Sequence, residues 1–271
     1  VLEDTLLDDA SCGLRWSAEV IDAASGESLG SMNAQRVLST ASIGKVLLLL
    51  AVAQRFDEGT LPPHTRLRRG DERVADSGLW QYLDAPTLTV ADACRLVGAV
   101  SDNLATNVLI DAVGLAAVAE VAASLGLRDT MLCDRVRDER TRADAPTLSQ
   151  GSAHELAGLA AAIHRGDAVG PDASSLVRGW LRLGTDLSMV AGAFGLDPLA
   201  HTEPDRGARL WNKTGTDRTV RGDVGVVETQ IGAVAYAVLA EWDGTDAPRD
   251  AILAAMRDVG GVISRYLFVR P

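Results

Sequence analysis

Of the 26 Lys and Arg residues in this 271-residue chain only two are lysine, Lys45 and Lys213, and each stands close to a hydroxyl group. Lys45 ends the stretch Ser42-Ile43-Gly44-Lys45 at the mouth of an unbroken apolar run, and Lys213 opens Lys213-Thr214-Gly215. Lysine carries a compact ammonium whose pKa falls on burial, so it can become a neutral amine and accept a proton; guanidinium essentially cannot. A sequence that otherwise writes Arg for its cations therefore points to proton transfer at these positions. Residues at i and i+3 of a helix lie on one face about a turn apart, which predicts the Lys45 amine within reach of the Ser42 hydroxyl. Serine is a weak nucleophile until a base takes its proton. A helix start adds N–H donors and positive dipole suited to a developing oxyanion.

Ser-x-x-Lys by itself arises by chance about once in a chain of this size. The order of motifs is more specific. Ser101-Asp102-Asn103 lies between two helical patterns, where a connection can present side chains to a cleft. Only four asparagines occur, and two of them are Asn103 and Asn107. Both lysines thus fall in one ordered set, S-x-x-K, then S-D-N, then K-T-G.

The elements that must position these groups follow from periodicity. LRWSAEVIDAASGESLGSM alternates and turns at Ser25-Gly26, a strand entering a hairpin. From Ser42 to Asp57 the pattern is that of a buried helix, ended by DEGTLPP. Amphipathic segments follow in TVADACRLVGAVS, NLATNVLIDAVG, LAAVAEVAASLGL with Gly126 near its end, and SAHELAGLAAAIHRG. In the last of these Ser152 and Glu155 have capping-box spacing. CDRVRDERTRADAPTLSQ, from Cys133 to Gln150, is charged, aperiodic and longer than a usual connection; such loops are commonly functional or disordered. Strands return in GDVGVVETQ and GAVAYAVLAEW around a turn near Gln230-Ile231-Gly232, and a last helix is predicted from Pro248 to near Gly260. This order predicts an α+β fold, a single catalytic unit. Both termini share one antiparallel sheet flanked by terminal helices (about 1–40 and 186–271), with an all-helical lobe (about 41–185) inserted.

Composition narrows the partners. A hydrophobic content of 47% with 23% charged residues is that of a core-forming protein. A net charge of −11 argues against nucleic acid or an anionic membrane surface. The apolar run VLLLLAVA is far shorter than the ~20 residues of a membrane span. Cys12, Cys94 and Cys133, odd in number and widely spaced, suggest neither a zinc site nor a disulfide framework, although one bridge stays open. His64, His154, His164 and His201 show no metal-ligand spacing, so neither metal nor cofactor is expected. The chain opens at Val1 with no signal peptide, consistent with a leader already removed.

With these motifs in this order the chain resembles the class A β-lactamases and, more broadly, the serine D,D-peptidase and penicillin-binding superfamily. The similarity runs from about Trp16 to the C-terminus and is carried also by SGLWQYLDAPTLTVADACRLVGAVSDNLATNVLID, LGLRDTML and WNKTGTDRTVRGDVGVV. The resemblance implies an active site between an α/β lobe built from both termini and an all-helical lobe. It implies Ser42 as the acylated nucleophile, Lys45 as its proton acceptor, and Ser101 as the relay to the departing ring nitrogen. Asn103 would bind the substrate's side-chain amide, Lys213 would hold the substrate carboxylate and tune Ser101, and Thr214 would hydrogen-bond that carboxylate. The backbone N–H groups of Ser42 and Thr216 would form the oxyanion hole. Arg221 falls, with one deletion, where some members keep a second carboxylate-binding arginine; a solvated strand-end charge is the alternative. Trp80 falls near the family's cleft-wall residue, with a core position as the alternative. The implied ligand is a β-lactam or a related amide or ester bearing a carboxylate. The implied protein is a monomer, secreted or periplasmic, with a cytoplasmic location still open.

One position departs from the family. Class A enzymes carry a glutamate in an E-P-x-x-N pattern, in the loop after the helical run, to activate the deacylating water. A gapless count from Ser101 puts Arg137 there; Asp138 rather than proline follows, and the loop has no asparagine. Asp138, Glu139 and Asp144 are nearby carboxylates that also read as solvated loop acids. The expected activity is therefore acylation by β-lactams with slow deacylation. The alternatives are a D,D-peptidase or esterase on the same scaffold, and a penicillin-binding sensor that acylates once.

Lys45→Arg keeps a charge but loses the titratable amine, so acylation of Ser42 by a reactive penicillin is expected to fall ~10²–10⁴-fold. Lys213→Arg keeps a carboxylate-binding cation and is expected to lose less. Stopped-flow acylation rates of the two variants check this, and near wild-type acylation by Lys45→Arg would end the proton-acceptor reading.

Overall fold

The computed structural model describes residues 2–70, 74, 77–244 and 249–268. After a short helix, Leu2–Thr5 (α1), the expected hairpin forms from Arg15–Asp22 (β1) and Ser28–Met32 (β2). Its turn is closed by Asp22 Oδ1, which accepts from the N–H groups of Ala24 and Ser25 at 3.0 and 2.8 Å. Val37–Ser39 (β3) leads into a 3₁₀ turn, Ala41–Gly44, and then Lys45–Asp57 (α2). One helix was expected from Ser42; the structure divides it, and Ser42 lies in the 3₁₀ turn. Every residue from Lys45 to Ala53 is buried, so α2 is the central rod of the helical layer.

Arg66–Arg68 (β4) and Thr87–Thr89 (β5) pair as a ribbon. Val90–Val100 (α3) starts at Thr89, whose hydroxyl accepts from the Asp92 N–H at 3.1 Å, as an N-cap does. Asn103–Val113 (α4) and Leu115–Ser124 (α5) meet at Gly114 with an 83° bend. Met131–Leu132 (β6) and Ser149–Ser152 (β7) join β3 in a small sheet. Ala153–Arg165 (α6) has Ser152 as its N-cap, but the capping box is only half formed. The Glu155 carboxylate instead accepts from the N–H groups of Arg128, Asp129 and Thr130 at 2.8, 3.1 and 2.7 Å, which holds that turn against α6. Pro171–Leu181 (α7), with proline in its first turn, is a further helix that the periodicity had not separated.

Ala208–Asp217 (β8), Val220–Thr229 (β9) and Gly232–Glu241 (β10) complete a five-stranded antiparallel sheet, in the order β2-β1-β10-β9-β8. Two strands were read here; the third, β8, carries Lys213 on the sheet edge. The final helix is Arg249–Phe268 (α8), and Pro248 lies outside the described residues. It runs past Gly260, where the glycine permits a close approach: a Cβ there would meet the Val190 carbonyl oxygen at 2.2 Å.

Alternation along the strands gives the sheet two apolar faces. Val224, Val226, Ala235, Ala237 and Leu239 pack toward α6 and α2, whereas Leu210, Val227, Tyr236 and Val238 pack toward α8. The fold is therefore the expected α+β arrangement. Cys12, Cys94 and Cys133 are free thiols, so the one disulfide left open does not form. No single helix among the described residues is long and apolar enough to cross a membrane.

The edge strand meets the 3₁₀ turn at Gly215, where a Cβ would lie 2.1 Å from the Thr40 carbonyl oxygen and 3.1 Å from Ile43 Cγ1. A backbone atom cannot yield as a side chain can. Gly215→Ala is expected to cost about 1–3 kcal/mol by overpacking. Gly158→Ala in α6, where a Cβ meets nothing within 4 Å, is expected to be neutral or slightly stabilising. Thermal denaturation of the two variants checks the contrast.

Candidate active site

The 3₁₀ turn that carries Ser42 is fixed from one side by β7. Ser149 Oγ donates to the Ala41 carbonyl at 2.5 Å, lies 2.7 Å from Thr40 Oγ1, and accepts from the Gly44 N–H at 3.3 Å. Ala41 itself has φ of +47°, a left-handed residue just before Ser42. These constraints place Ser42 on an open pocket, with Ser101, Lys213, Thr214 and Thr216 on the same wall system. The sequence had not pointed to Ser77, Gly98–Val100, Gly184–Asp186 or Asn212, which complete the lining. Asn212 had a signal, being another of the scarce asparagines and the neighbour of Lys213.

Both lysines are buried, and both reach Ser101. Lys45 Nζ donates to the Ser101 carbonyl at 2.7 Å, to Asn103 Oδ1 at 2.7 Å and to Ser101 Oγ at 3.1 Å. Lys213 Nζ donates to Ser101 Oγ at 3.0 Å and to the Thr214 carbonyl at 2.8 Å. Among the described residues no hydrogen bond joins Lys45 Nζ to Ser42 Oγ, which the i, i+3 spacing had led us to expect. The oxygens of the α3–α4 connection hold the amine instead.

That connection is built for the purpose. Ser101 has φ of +56° and caps α3 in the left-handed region, a conformation costing an L-residue roughly 1–2 kcal/mol. The reversal lets Asp102 cap α4: its Oδ1 accepts from the Ala105 N–H at 2.8 Å. Its Oδ2 accepts from the N–H groups of Leu79 and Trp80 at 2.7 and 2.8 Å, which pins the 79–80 segment.

Burial holds the Lys45 amine well below the usual lysine range, helped by the Lys213 charge and opposed by Asp102. Burial also lowers Lys213, to about 8, against the pull of Asp186 and Asp223. Behind β8, fully buried Asp223 is raised to about 7 by burial. It accepts from Asn212 Nδ2 at 2.9 Å, the Ala191 N–H at 3.1 Å and the Tyr236 hydroxyl at 3.3 Å. The set is chemically capable of proton transfer: a free serine hydroxyl on a pocket, a second hydroxyl between two amines, and one amine biased toward its neutral form.

Four residues named from the sequence lie elsewhere than on the pocket lining, the first being Lys45, buried behind Ser101. Asn103 is buried, with its oxygen occupied by Lys45. Trp80 is fully buried in the core, its indole donating to the Ala85 carbonyl at 2.8 Å. Arg221 donates to the Asp217 and Val220 carbonyls at 2.5 and 2.7 Å and sits 5.7 Å from the Trp242 ring centroid. It is buried, not the solvated strand-end charge of the alternative. The long loop contributes nothing to the lining. Arg137 Nε is 2.8 Å from Asp134 Oδ2 and 3.2 Å from Asp144 Oδ1, and Arg140 reaches Asp134 Oδ2 at 2.7 Å.

The β-lactamase enzyme family model matches residues 4–267. The chain belongs to that family. It is a serine β-lactamase-like hydrolase with a class A-like fold. It is similar to the crystal structure of a β-lactamase from Sphaerobacter thermophilus, with 25% identity, a TM-score of 0.83, and 100% of this chain and 96% of that one covered. A mutant of the class A β-lactamase of the last common ancestor of Gram-negative bacteria shares 26% identity at a TM-score of 0.78, covering 96% of each chain. A variant of PBP-A, solved as its acyl-enzyme complex with penicillin G, shares 24% identity at a TM-score of 0.75, covering 93% of this chain and 91% of that one. No curated protein matches the sequence.

Because the β-lactamase-like chain has two lysines, labelling them isotopically leaves two amine signals to follow by NMR. Lys213 is expected to be charged below and neutral above a midpoint of about 8, and the Lys45 midpoint is expected to lie well below the ordinary ~10.4. Two midpoints near the ordinary value would overturn this electrostatic description.

Proposed function

We propose that the protein acylates Ser42 with β-lactams and releases the acyl group slowly. The observation that supports this best is the meeting of Ser42, Ser101 and Lys213 on one pocket, with Ser101 Oγ between both lysine amines. In this reading Lys45, in its neutral form, lets go of one of the three acceptors it holds and turns its lone pair to Ser42. It takes the proton of Ser42 Oγ as that oxygen attacks the lactam carbonyl carbon. Lys45 already holds Ser101 Oγ at 3.1 Å, so the proton continues to Ser101 and from there to the ring nitrogen as the C–N bond breaks. Lys213 and Thr214 hold the substrate carboxylate. The N–H groups of Ser42 and Thr216 take the oxyanion, a contribution worth ~10²–10³ in rate for one such donor.

Deacylation is the step for which no carboxylate of the long loop lines the pocket. By the gapless count from Ser101 the class A glutamate is replaced by Arg137, whose guanidinium is paired within the loop with Asp134 and Asp144. The penicillin G acyl-enzyme of the PBP-A variant offers a precedent on the same fold. The same departure favours a second reading, a D,D-peptidase or esterase using this Ser42 chemistry. In either case we propose one catalytic unit, with the layers of about 1–40 and 186–271 and of about 41–185 closing on the substrate. By family, we propose an extracytoplasmic monomer.

Incubation with a reactive penicillin is expected to add the mass of one intact penicillin at Ser42, and Ser42→Ala to abolish the adduct. Stopped-flow traces with a chromogenic cephalosporin are expected to show a burst of about one product per site before slow turnover. A linear trace at a turnover number on the order of 10–10³ s⁻¹ would remove slow deacylation, and an adduct on another serine would remove the mechanism.

A further inference from the structure

Asp186 is the one carboxylate among the described residues that line the pocket. It stands on the Gly184–Asp186 wall, beside the β8 residues Lys213, Thr214 and Thr216 that would take a substrate carboxylate. The wall is held in place. Asp186 Oδ1 accepts from Ser188 N–H and Oγ at 3.1 and 2.6 Å, and its carbonyl accepts from Asn212 Nδ2 at 3.2 Å. The same Asn212 amide donates to Asp223 at 2.9 Å, and Arg257 donates to the Ser188 carbonyl at 3.2 Å. The segment that carries the anion is thus tied to β8 on one side and to α8 on the other.

No cation is in direct contact with it among the described residues. None of the ion pairs among the described residues includes Asp186, and its side chain is exposed to the pocket mouth. Arg221 feels the Asp186 charge as well, but its guanidinium is held by two carbonyls and the Trp242 ring and lies off the pocket. Lys213 feels Asp186 more than any other charge. A ligand with only a carboxylate therefore meets a fixed like charge as it approaches Lys213. A ligand that also carries a cation next to its carboxylate gains attraction at the same place.

We propose that Asp186 makes this site selective for zwitterionic substrates, those presenting a cationic group beside the carboxylate that Lys213 and Thr214 hold. The inference rests on the acyl-enzyme reading above. Asp186 acts here on specificity and takes no proton in the reaction.

Two cephalosporins with the same 7-acylamino group test it, one with a pyridinium-methyl substituent at C3, next to the C4 carboxylate, and one with a neutral acetoxymethyl group. Acylation rates of Ser42 are measured for both in 20 mM and in 500 mM salt. In the wild-type protein the cation-to-neutral rate ratio is expected to fall about threefold or more in high salt, as screening of surface charge requires. Asp186→Asn, which retains an oxygen for Ser188, is expected to lower that ratio about three- to tenfold at low salt and to remove its salt dependence. Asp186→Glu is expected to keep most of the preference. Should both compounds acylate Ser42 with a ratio indifferent to salt and to Asp186→Asn, the selectivity is overturned while the acyl-enzyme reading stands. Should neither compound acylate Ser42, the underlying reading fails.

Discussion

Two buried amines converge on one hydroxyl: Lys45 Nζ lies 3.1 Å and Lys213 Nζ 3.0 Å from Ser101 Oγ. Burying one ammonium is costly and burying a second beside it adds repulsion, so such an arrangement persists only where the donors find acceptors and the amines can shed charge. Each condition is met by a different part of the fold. The Ser101 and Thr214 carbonyls and Asn103 Oδ1 supply acceptors. Depression of both amine pKa values supplies the release of charge. The left-handed φ of Ser101 is what aims its carbonyl and hydroxyl at Lys45 together, and Asp102 offsets that strain by capping α4 and binding the 79–80 backbone.

The same constraint accounts for the close approach of sheet and helical layer. Lys213 reaches Ser101 only if β8 lies directly on the 3₁₀ turn, and Gly215 is the residue that allows it. Ser149, from the third small strand of another sheet, then holds that turn against β8 from behind. Ser42 is therefore placed by two strands distant in sequence, β7 and β8, rather than by its own helix. Carboxylates are used sparingly near the reaction. Asp102 and Asp223 lie behind the lysines and Asp186 stands on the rim, while Asp134 is consumed in binding Arg137 and Arg140. The long loop is thus cohesive in itself. Asn107 adds a reciprocal pair with the Val136 backbone at 3.0 and 2.8 Å.

Legibility of the fold tracked the range of the interactions. The hairpin at Ser25-Gly26 and the helices flanking Ser101 were readable because alternation and helical spacing are local signals. Gly260 read as a stop because a glycine in a helix interior is locally unfavourable; its packing against Val190 is invisible without α8 docked on the 190–194 segment. Glu155 has the spacing of a capping box, yet a neighbouring turn offers three N–H groups and wins the carboxylate. Trp80 and Arg221 were left between two readings. The core claimed Trp80, and backbone carbonyls with an indole ring claimed Arg221.

The sequence by itself determined which residues are candidates for chemistry. Lysine and asparagine scarcity and the ordered motifs name Ser42, Lys45, Ser101 and Lys213, because residue type decides what proton chemistry is available. It also determined that a sheet from both ends of the chain would pack on a helical middle. Only the tertiary structure decided who touches whom. The hydrogen bonds that matter span 56 residues from Lys45 to Ser101 and 112 from Ser101 to Lys213, distances over which no periodicity carries information. It also decided the charge states, since a lysine pKa depends on burial and on the neighbours that packing brings. Asp186 is the sharpest case: in the sequence it is one acid among 37, and only the closure of its wall on β8 makes it the carboxylate of the pocket.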